Sequence, residues 1–468
     1  TRYGTVTGVQ TCALPICADT AAWMAAVQAE VARAAGQDCF AAYIDCEKCY
    51  DRVDLGRLAA EGSLHGLGRL VRLAARQYRG TRYVRWAGAI SRGVVPIAGI
   101  PAGCPLANGM LHLYLLRAMR DTHRDAPGAA LRTYVDDWRV FAAGLRRRAA
   151  RDAVGSLRAA KAHLEDMGMV VNLRKTVLLA SSRGARDRLR AEAGDLRGLV
   201  AATVKDLGVD DSLGANSRRP AQMKRLAEAA ESARRISRVP TGWRGRSHMA
   251  ATLSRAQSSW GADVSGISAG HLRKMRRWMA FAVAGGPTAR RAPEVLLALA
   301  EGSTFLEPEL QYLFSVVRGW ARRCAEHPEL PQLVETLWGR ERESPTPPAL
   351  RRGPVALLLH AIRQLGWDPV GPTCWSPNPG HSLHVADMEA LEHEARRAVE
   401  GIRWSRLGRR RPDFAGVGNG VDEYATFAMA RAALSAGRTA EHGRLACIIS
   451  RSEEHTSELQ SQFRISYA

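Results

Sequence analysis

The chain has 468 residues and a mass of 51.0 kDa, which is enough for two to four domains with a buried core. It carries 67 Lys and Arg against 46 Asp and Glu, a formal charge of +21, and this excess favours a polyanionic partner, most often nucleic acid. No apolar run reaches the ~18 residues of a membrane span, and the nine scattered cysteines suit a reducing compartment rather than a disulfide framework.

The two ends of the chain are related to each other. Residues 6–16 (VTGVQTCALPI) and 451–461 (RSEEHTSELQS) can be encoded by opposite strands of one DNA segment, a condition that unrelated peptides almost never meet. We therefore expect residues 1–16 and 451–468 to be translated sequencing-library adapter, and we leave them out of the fold prediction. On this interpretation the natural protein is cut at both ends.

The first half of the chain alternates helical and β-prone patterns. The predicted elements are a helix over 18–35, a buried strand over 39–45, helices to about 64 and over 67–78, short strands over 82–86 and 93–97, a helix over 108–119 after a Gly/Pro loop, a hairpin over 131–141, a helix over 145–167, and strands over 177–180 and 203–209. This order predicts an α+β fold, with helices packed on one face of a small antiparallel sheet.

The second half is predicted to be helical. Basic helices are expected within residues 218–246 and over 272–283, followed after Gly285-Gly286-Pro287 by further helices with proline-rich breaks. We see no internal repeat and no long low-complexity tract.

The functional prediction depends first on Tyr134-Val135-Asp136-Asp137. Two β-prone runs flank the acids, so the pattern predicts a tight hairpin with both carboxylates at its tip. Neighbouring carboxylates raise each other's pKa unless a cation lies between them, which favours a metal site. The alternative is a solvated Asp-Asp turn.

A third acid supplies what the hairpin lacks. Two-metal nucleotidyl transfer needs carboxylates from at least two strands, because one ion activates the attacking hydroxyl and the other neutralises the leaving pyrophosphate. Asp45 ends the predicted strand over 39–45 and provides the second wall of such a site.

With these parts in order, the chain resembles the reverse transcriptases of non-LTR retroelements. The first motif of that family is matched by residues 45–53 (DCEKCYDRV), and its Tyr-x-Asp-Asp motif by residues 134–137 (YVDD). Two later motifs are matched by residues 168–176 (GMVVNLRKT) and 207–209 (LGV). The resemblance covers about residues 18–290, and four motifs in the right order are far more specific than any one of them.

The resemblance implies a role for each matched residue. Asp45 and Asp136 would bind two Mg²⁺ ions, or Mn²⁺ in their place, with Asp137 as a third, more structural acid and the Cys46 carbonyl completing one ion's ligands. Tyr50 would lie under the sugar and exclude a 2′-hydroxyl. Lys175 would act as an acid near the pyrophosphate, although a solvated turn lysine is the alternative. The implied partners are an RNA template, a DNA primer and deoxynucleoside triphosphates. The implied location of the protein is the nucleus.

One position departs from the family. Its Gln-Gly-Cys-Pro-Leu-Ser loop is Ala102-Gly103-Cys104-Pro105-Leu106-Ala107 here. The resemblance implies that Ala102 and Gly103 contact the substrate, but the glutamine amide that helps to position the nucleotide is missing. The basic residues that grip the triphosphate in the family lie upstream of the first motif, and before Ala18 this chain has only the adapter-like segment. We expect an impaired activity. An RNA-binding, maturase-like protein and a decayed, inactive copy are the alternatives.

The resemblance also predicts a domain order. Residues 17–38 would be a remnant of the fingers, 39–215 the palm, 216–290 the thumb, and 291–450 a helical region of unknown role. The thumb would track the phosphates of the template and primer duplex, or else present a solvated basic face. Its predicted contact residues are Lys224, Arg225, Arg234, Arg235, Arg273 and Lys274.

Two further patterns are weaker. Cys46 and Cys49 form a C-x-x-C pair without a partner pair, which favours buried thiols over zinc. Cys374, His381 and His384, with His360 and His393 in the same region, suggest a zinc site near the C-terminus, at irregular spacing. Residues 404–413 form another basic patch, for nucleic acid or for a protein partner.

Overall fold

A computed structural model describes residues 9–11, 18–101, 103–213, 219–287, 292–300, 305–343, 353–410, 428, 432–433 and 435–438. The chain divides into two compact units. The first holds the described residues up to Leu207 together with 211–213, and the second holds Gly208–Asp210 with the described residues from Arg219 onward. No described helix combines the length and the apolar character needed to cross a membrane.

The first unit mixes helices and strands. Its helices are α1 (Ala18–Ala34), α2 (Leu55–Leu64), α3 (Gly68–Tyr78), α4 (Ala107–Asp125), α5 (Arg146–Asp166) and α6 (Arg183–Ala193). Its strands are β1 (Val9–Thr11), β2 (Asp38–Ile44), β3 (Arg85–Trp86), β4 (Ala89–Ile90), β5 (Ala130–Tyr134), β6 (Asp137–Gly144), β7 (Val177–Ala180) and β8 (Val204–Asp206). The α+β prediction is therefore confirmed.

The main sheet has the order β1-β5-β6-β2-β7. β2 lies between β6 and β7 and is antiparallel to both, while β1 pairs in parallel with β5 at the edge. β1 falls inside the segment predicted to be adapter-derived. Three residues of parallel edge pairing require only backbone groups, so this strand does not test the origin of the segment.

The prediction of helices on one face only is wrong. Phe40, Ala42 and Ile44 of β2 join a large core that also contains residues of α2 to α6. The alternate residues Cys39, Ala41 and Tyr43 pack on the opposite face, against Ala29 and Ala32 of α1. β2 is apolar on both faces, so both faces need a cover.

The second unit is mostly helical. Its helices are α7 (Pro220–Ser237), α8 (Trp243–Met249), α9 (Ala256–Ser259), α10 (Ala262–Ser265), α11 (Ala269–Ala284), α12 (Pro293–Ala300), α13 (Pro308–Glu326), α14 (Leu330–Glu343), α15 (Pro354–Gln364) and α16 (Met388–Arg410), with a π-helical segment at Ala250–Arg255. A core of α7, α11 and α12 side chains, among them Ile236, Met279 and Leu297, joins the predicted thumb to the region that follows it.

Two element predictions need correction. The single strand expected over 203–209 is broken, because Leu207 (φ 47°) and Gly208 (φ 82°) form a tight left-handed turn between β8 and β9 (Val209–Asp211). The region over 291–450 is not purely helical. Its proline-rich part contains a three-stranded antiparallel sheet, made of β10 (Asp368–Gly371), β11 (Cys374–Asn378) and β12 (His381–His384).

A buried ionic cluster lies inside the second unit. The Arg276 guanidinium is 5% exposed and lies 3.1 Å from Glu294, 2.7 Å from Glu307 and 2.9 Å from Glu309. Three arginines of α16 pair with the same carboxylates: Arg403 with Glu307, Arg406 with Glu309 and Arg410 with Glu294. The basic patch predicted over 404–413 thus contributes charges to internal pairing.

Candidate active site

The acidic hairpin forms as predicted. Tyr134 of β5 pairs with Asp137 of β6, which leaves Val135 and Asp136 as a two-residue turn. Val135 has φ 59°, a left-handed conformation that costs a β-branched residue roughly 1–3 kcal/mol. Glycine is the usual residue at such a turn position, and strain of this kind concentrates at functional sites.

The register of the sheet brings Asp45 to this hairpin. Ile44 of β2 lies opposite Trp138 of β6, so the next residue, Asp45, follows at the level of Asp137. Two paired strands therefore end in acids at the same edge of the sheet, which is the arrangement that the sequence predicts.

The charges of these acids are only partly compensated by nearby positive charge. Desolvation, followed by the negative charges of Asp136 and Asp45, raises the pKa of Asp137 to about 6. Desolvation and Asp45 also raise the pKa of Asp136. The Oδ2 atom of Asp45 is buried and accepts no hydrogen bond; its one ion-pair partner among the described residues is the Lys175 ammonium, at 3.4 Å. Carboxylate oxygens in this state suit a bound cation.

Lys175 supplies the nearest positive charge. Its Nζ lies 3.4 Å from Asp45 Oδ2, and its charge offsets part of the pKa rise at Asp136 and Asp137. Backbone hydrogen bonds fix the segment before it, from Asn172 N to Asp45 O (2.8 Å) and from Glu47 N to Val170 O (2.8 Å). The motif over residues 168–176 is thereby held against the first acidic motif.

The carboxylate oxygens of Asp45, Asp136 and Asp137 are ligands that suit a divalent ion. Their side chains are not arranged as a complete metal site. Within the described ranges, no group of three or more His, Cys, Asp or Glu side chains is arranged so that it could hold a metal ion. This finding also covers Cys374, His381 and His384, so the suggested C-terminal zinc site gains no support. Cys46 is buried, and so is Cys49, as the interpretation of buried thiols requires.

Tyr50 lies beside the Gly/Pro loop. Its hydroxyl donates a hydrogen bond to Asn108 Oδ1 (2.5 Å), and its carbonyl accepts one from Ile100 N (2.9 Å). Gly99 has φ +88°, and a Cβ atom there would lie 2.9 Å from the Asp51 Cα. Only glycine therefore lets the loop approach the turn that carries Tyr50.

Two loop residues were predicted to contact substrate. Gly103 has φ +89°, again a conformation that favours glycine. Ala102 lies outside the described residues. Asn108, the partner of Tyr50, is absent from the sequence-based prediction, because a single amide at the start of a helix carries no recognisable signal.

The sequence-based prediction also missed a buried cluster of polar side chains around Arg139. Arg139 of β6 donates to the Tyr43 hydroxyl (2.9 Å) and pairs with Asp211 at 3.4 Å. Asp206 belongs to the same neighbourhood: desolvation raises its pKa to about 7, Arg139 opposes that rise, and Asp211 and Asp137 add to it. An arginine between Trp138 and Val140 could have been suspected as a buried cation needing acids nearby.

The basic residues predicted for the thumb fall into two groups. Arg225 is half-buried, and its guanidinium donates to the carbonyls of Gly208 and Trp260, so it stabilises the second unit internally. The others are exposed: Lys224 pairs with Glu228, Arg234 and Arg235 pair with Glu231, and Arg273 and Lys274 have no ion-pair partner among the described residues.

A known family matches the first part of the chain. Residues 5–210, somewhat less than half of the chain, match the family model described as reverse transcriptase (RNA-dependent DNA polymerase). Residues 5–210 are therefore similar to reverse transcriptase domains, which are RNA-directed DNA polymerases. No curated protein matches the chain.

Proposed function

We propose that the chain catalyses RNA-templated DNA synthesis as a reverse transcriptase of the non-LTR retroelement type. In this reaction the primer 3′-hydroxyl attacks the α-phosphate of a deoxynucleoside triphosphate, and pyrophosphate leaves. The observation that supports it most is the meeting of Asp45 with Asp136 and Asp137 at one sheet edge, with raised pKa values in the hairpin and an Asp45 oxygen that accepts no hydrogen bond.

Asp45, Asp136 and Asp137, with the Cys46 carbonyl, would hold two Mg²⁺ ions or Mn²⁺ in their place. Bound there, the ions supply activation of the attacking hydroxyl and neutralisation of the leaving group. The Lys175 ammonium lies beside Asp45, where its Nζ can give a proton to the leaving pyrophosphate.

Tyr50 takes the place under the incoming sugar, and its hydrogen bond to Asn108 fixes the direction of the ring. Gly103 lets the loop backbone approach the nucleotide. Ala102 offers no amide to position it, so the activity of this chain is lower than that of a protein with glutamine there.

The domain roles follow from the same proposal. Residues 39–215 act as the palm and 216–290 as the thumb, where the exposed cations Lys224, Arg234, Arg235, Arg273 and Lys274 contact the phosphates of the duplex. Arg225 supports this surface through its backbone hydrogen bonds. A maturase-like role in RNA binding is the second candidate, supported by the formal charge of +21.

Primer extension on an RNA template tests the proposal. Asp45→Asn should lower the extension rate by about 100-fold or more, because a metal ligand contributes several kcal/mol. The matched control is Asp195→Asn, whose side chain is 78% exposed and pairs only with Arg158 among the described residues. Equal rates for Asp45→Asn and wild type would contradict the proposal. Tight RNA binding without extension by any variant would favour the maturase-like role.

A further inference from the structure

A run of unpaired positive charge lies between the first acidic motif and the Gly/Pro loop. Between Glu61 and Asp121 the chain has no acidic residue, yet seven arginines occur within residues 69–92. All seven are exposed, and none forms an ion pair with another described residue. We call this set the arginine surface: Arg69, Arg72, Arg76 and Arg79 around α3, and Arg82, Arg85 and Arg92 on the hairpin that follows.

The arginines of α3 are ordered along the helix. They are spaced three, four and three residues apart, which places them along one side. The buried side of the same helix is formed by Val71, Ala74, Ala75 and Tyr78. These arginines therefore lie along one exposed face of α3, and the positive charge continues into the hairpin that follows.

The hairpin presents aromatic rings beside these cations. Trp86 of β3 pairs with Ala89 of β4 across the turn Ala87-Gly88, whose residues both have positive φ (46° and 87°). The Trp86 side chain is 81% exposed and that of Tyr83 is 62% exposed. Five aliphatic side chains of the same hairpin and its flank are exposed as well: Val84, Ile90, Val94, Val95 and Ile97. Exposed apolar surface of this extent indicates a binding surface.

We infer that the arginine surface and the rings of Tyr83 and Trp86 bind a single strand of nucleic acid. Arginines without carboxylate partners attract phosphates, and exposed rings stack on bases. A duplex would not satisfy the rings, because its bases are already stacked on one another. Complete absence of acids over this stretch favours a polyanion over a protein partner, whose surface carries both signs of charge.

This binding goes beyond the proposed polymerase function. The surface contains none of the carboxylates proposed to hold metal ions, so it needs neither a divalent ion nor a nucleotide. Binding can therefore be measured in conditions under which no DNA synthesis occurs, and the two proposals can fail separately.

The test is fluorescence anisotropy of the whole chain with a labelled single-stranded RNA of about 12 nucleotides, in EDTA. Trp86→Leu keeps an apolar side chain but cannot stack, and it should weaken binding about 5- to 100-fold. Trp86→Phe should retain most of the affinity. A double-stranded RNA of the same length should show no loss with Trp86→Leu.

The charge is tested separately. Arg85→Gln with Arg92→Gln should lower the slope of log affinity against log salt by about 1.4, if each arginine contacts one phosphate of a single strand. The charge-matched control is Arg147→Gln with Arg151→Gln, two exposed arginines of α5 without ion pairs among the described residues. Circular dichroism checks that every variant is folded.

Three results would overturn the inference. The wild-type chain could fail to bind single-stranded RNA in EDTA. The control pair could lower the slope as much as the hairpin pair, which would mean nonspecific attraction to net charge. Trp86→Leu could bind as tightly as wild type, which would assign the exposed apolar residues to a protein partner instead.

Discussion

Replacing Lys175 by methionine tests whether the three acids form a cation site. The Lys175 Nζ lies 3.4 Å from Asp45 Oδ2, and its charge lowers the pKa of both Asp136 and Asp137. The ammonium is thus a tethered cation at the place proposed for divalent ions, and it must give way when they bind. Methionine retains an unbranched side chain and removes the charge.

Coulomb's law gives the scale of this competition. Two unit charges at the distance of this pair, 3.4 Å, attract by ~1 kcal/mol in bulk water and ~5 kcal/mol at an effective dielectric constant of ~20. The Lys175 side chain is 68% exposed, so the value near the water limit applies, ~1–2 kcal/mol. A divalent ion freed from this competition should bind about 5- to 30-fold more tightly.

Titration with Mn²⁺, followed by electron paramagnetic resonance of the free ion, measures this change without any enzymatic turnover. Lys161→Met is the matched control, because Lys161 forms an exposed pair with Glu165 (2.8 Å) on α5. Lys175→Met should lower the dissociation constant for Mn²⁺, and the control should leave it unchanged. An unchanged or higher dissociation constant for Lys175→Met would refute the reasoning.

Two further predictions concern stability. Arg276→Met leaves buried carboxylates with fewer partners and should cost about 3–5 kcal/mol in the free energy of unfolding by urea. The exposed pair of Arg234 should be worth at most ~1 kcal/mol, so Arg234→Met is its control, and equal costs would contradict a buried cluster. Asp206 has a pKa raised to about 7 by desolvation and by neighbouring acids, so the folded protein holds this proton more tightly than the unfolded chain. Its ionisation therefore destabilises the fold increasingly from about pH 4, the unfolded pKa, up to pH 7. Asp206→Asn should remove that decline and stabilise the protein by roughly 1–3 kcal/mol at pH 7.5, with little effect at pH 4; the same difference from wild type at both pH values would contradict this account.

The acidic edge of the sheet could be predicted because its signals are local. A strand pattern ending in Asp45 and a hairpin pattern around Asp136 each determine one strand end, and antiparallel pairing of the two strands then brings the acids together. Residue spacing was sufficient for this step. The strain at Val135 could not be predicted, since a valine normally argues against a left-handed turn.

The errors have a common cause in tertiary contacts. The alternation in β2 gives no polar face, and only the position of α1 shows that both faces are covered. The turn at Leu207 was also missed. Leucine rarely adopts positive φ, so the predicted strand was continued through this residue. The β10–β12 sheet was missed because the prolines within and between its strands were interpreted as breaks between helices.

The sequence also could not predict which arginines form internal hydrogen bonds or ion pairs. Arg225, predicted to contact nucleic acid, donates to two carbonyls, and the arginines at 406 and 410 pair with glutamates roughly a hundred residues away in the chain. Composition reports an excess of arginine but not which arginines face water. The exposed set at residues 69–92 emerges only once the internal pairs are known.

The central claim is that Asp136, with Asp45, supports nucleotide transfer. Addition of a single deoxynucleotide to a primer annealed to RNA, followed at equal protein loading in Mg²⁺, tests it most directly. The wild-type chain should extend the primer, and Asp136→Asn should be slower by about 100-fold or more. Extension by Asp136→Asn at the wild-type rate would contradict the claim.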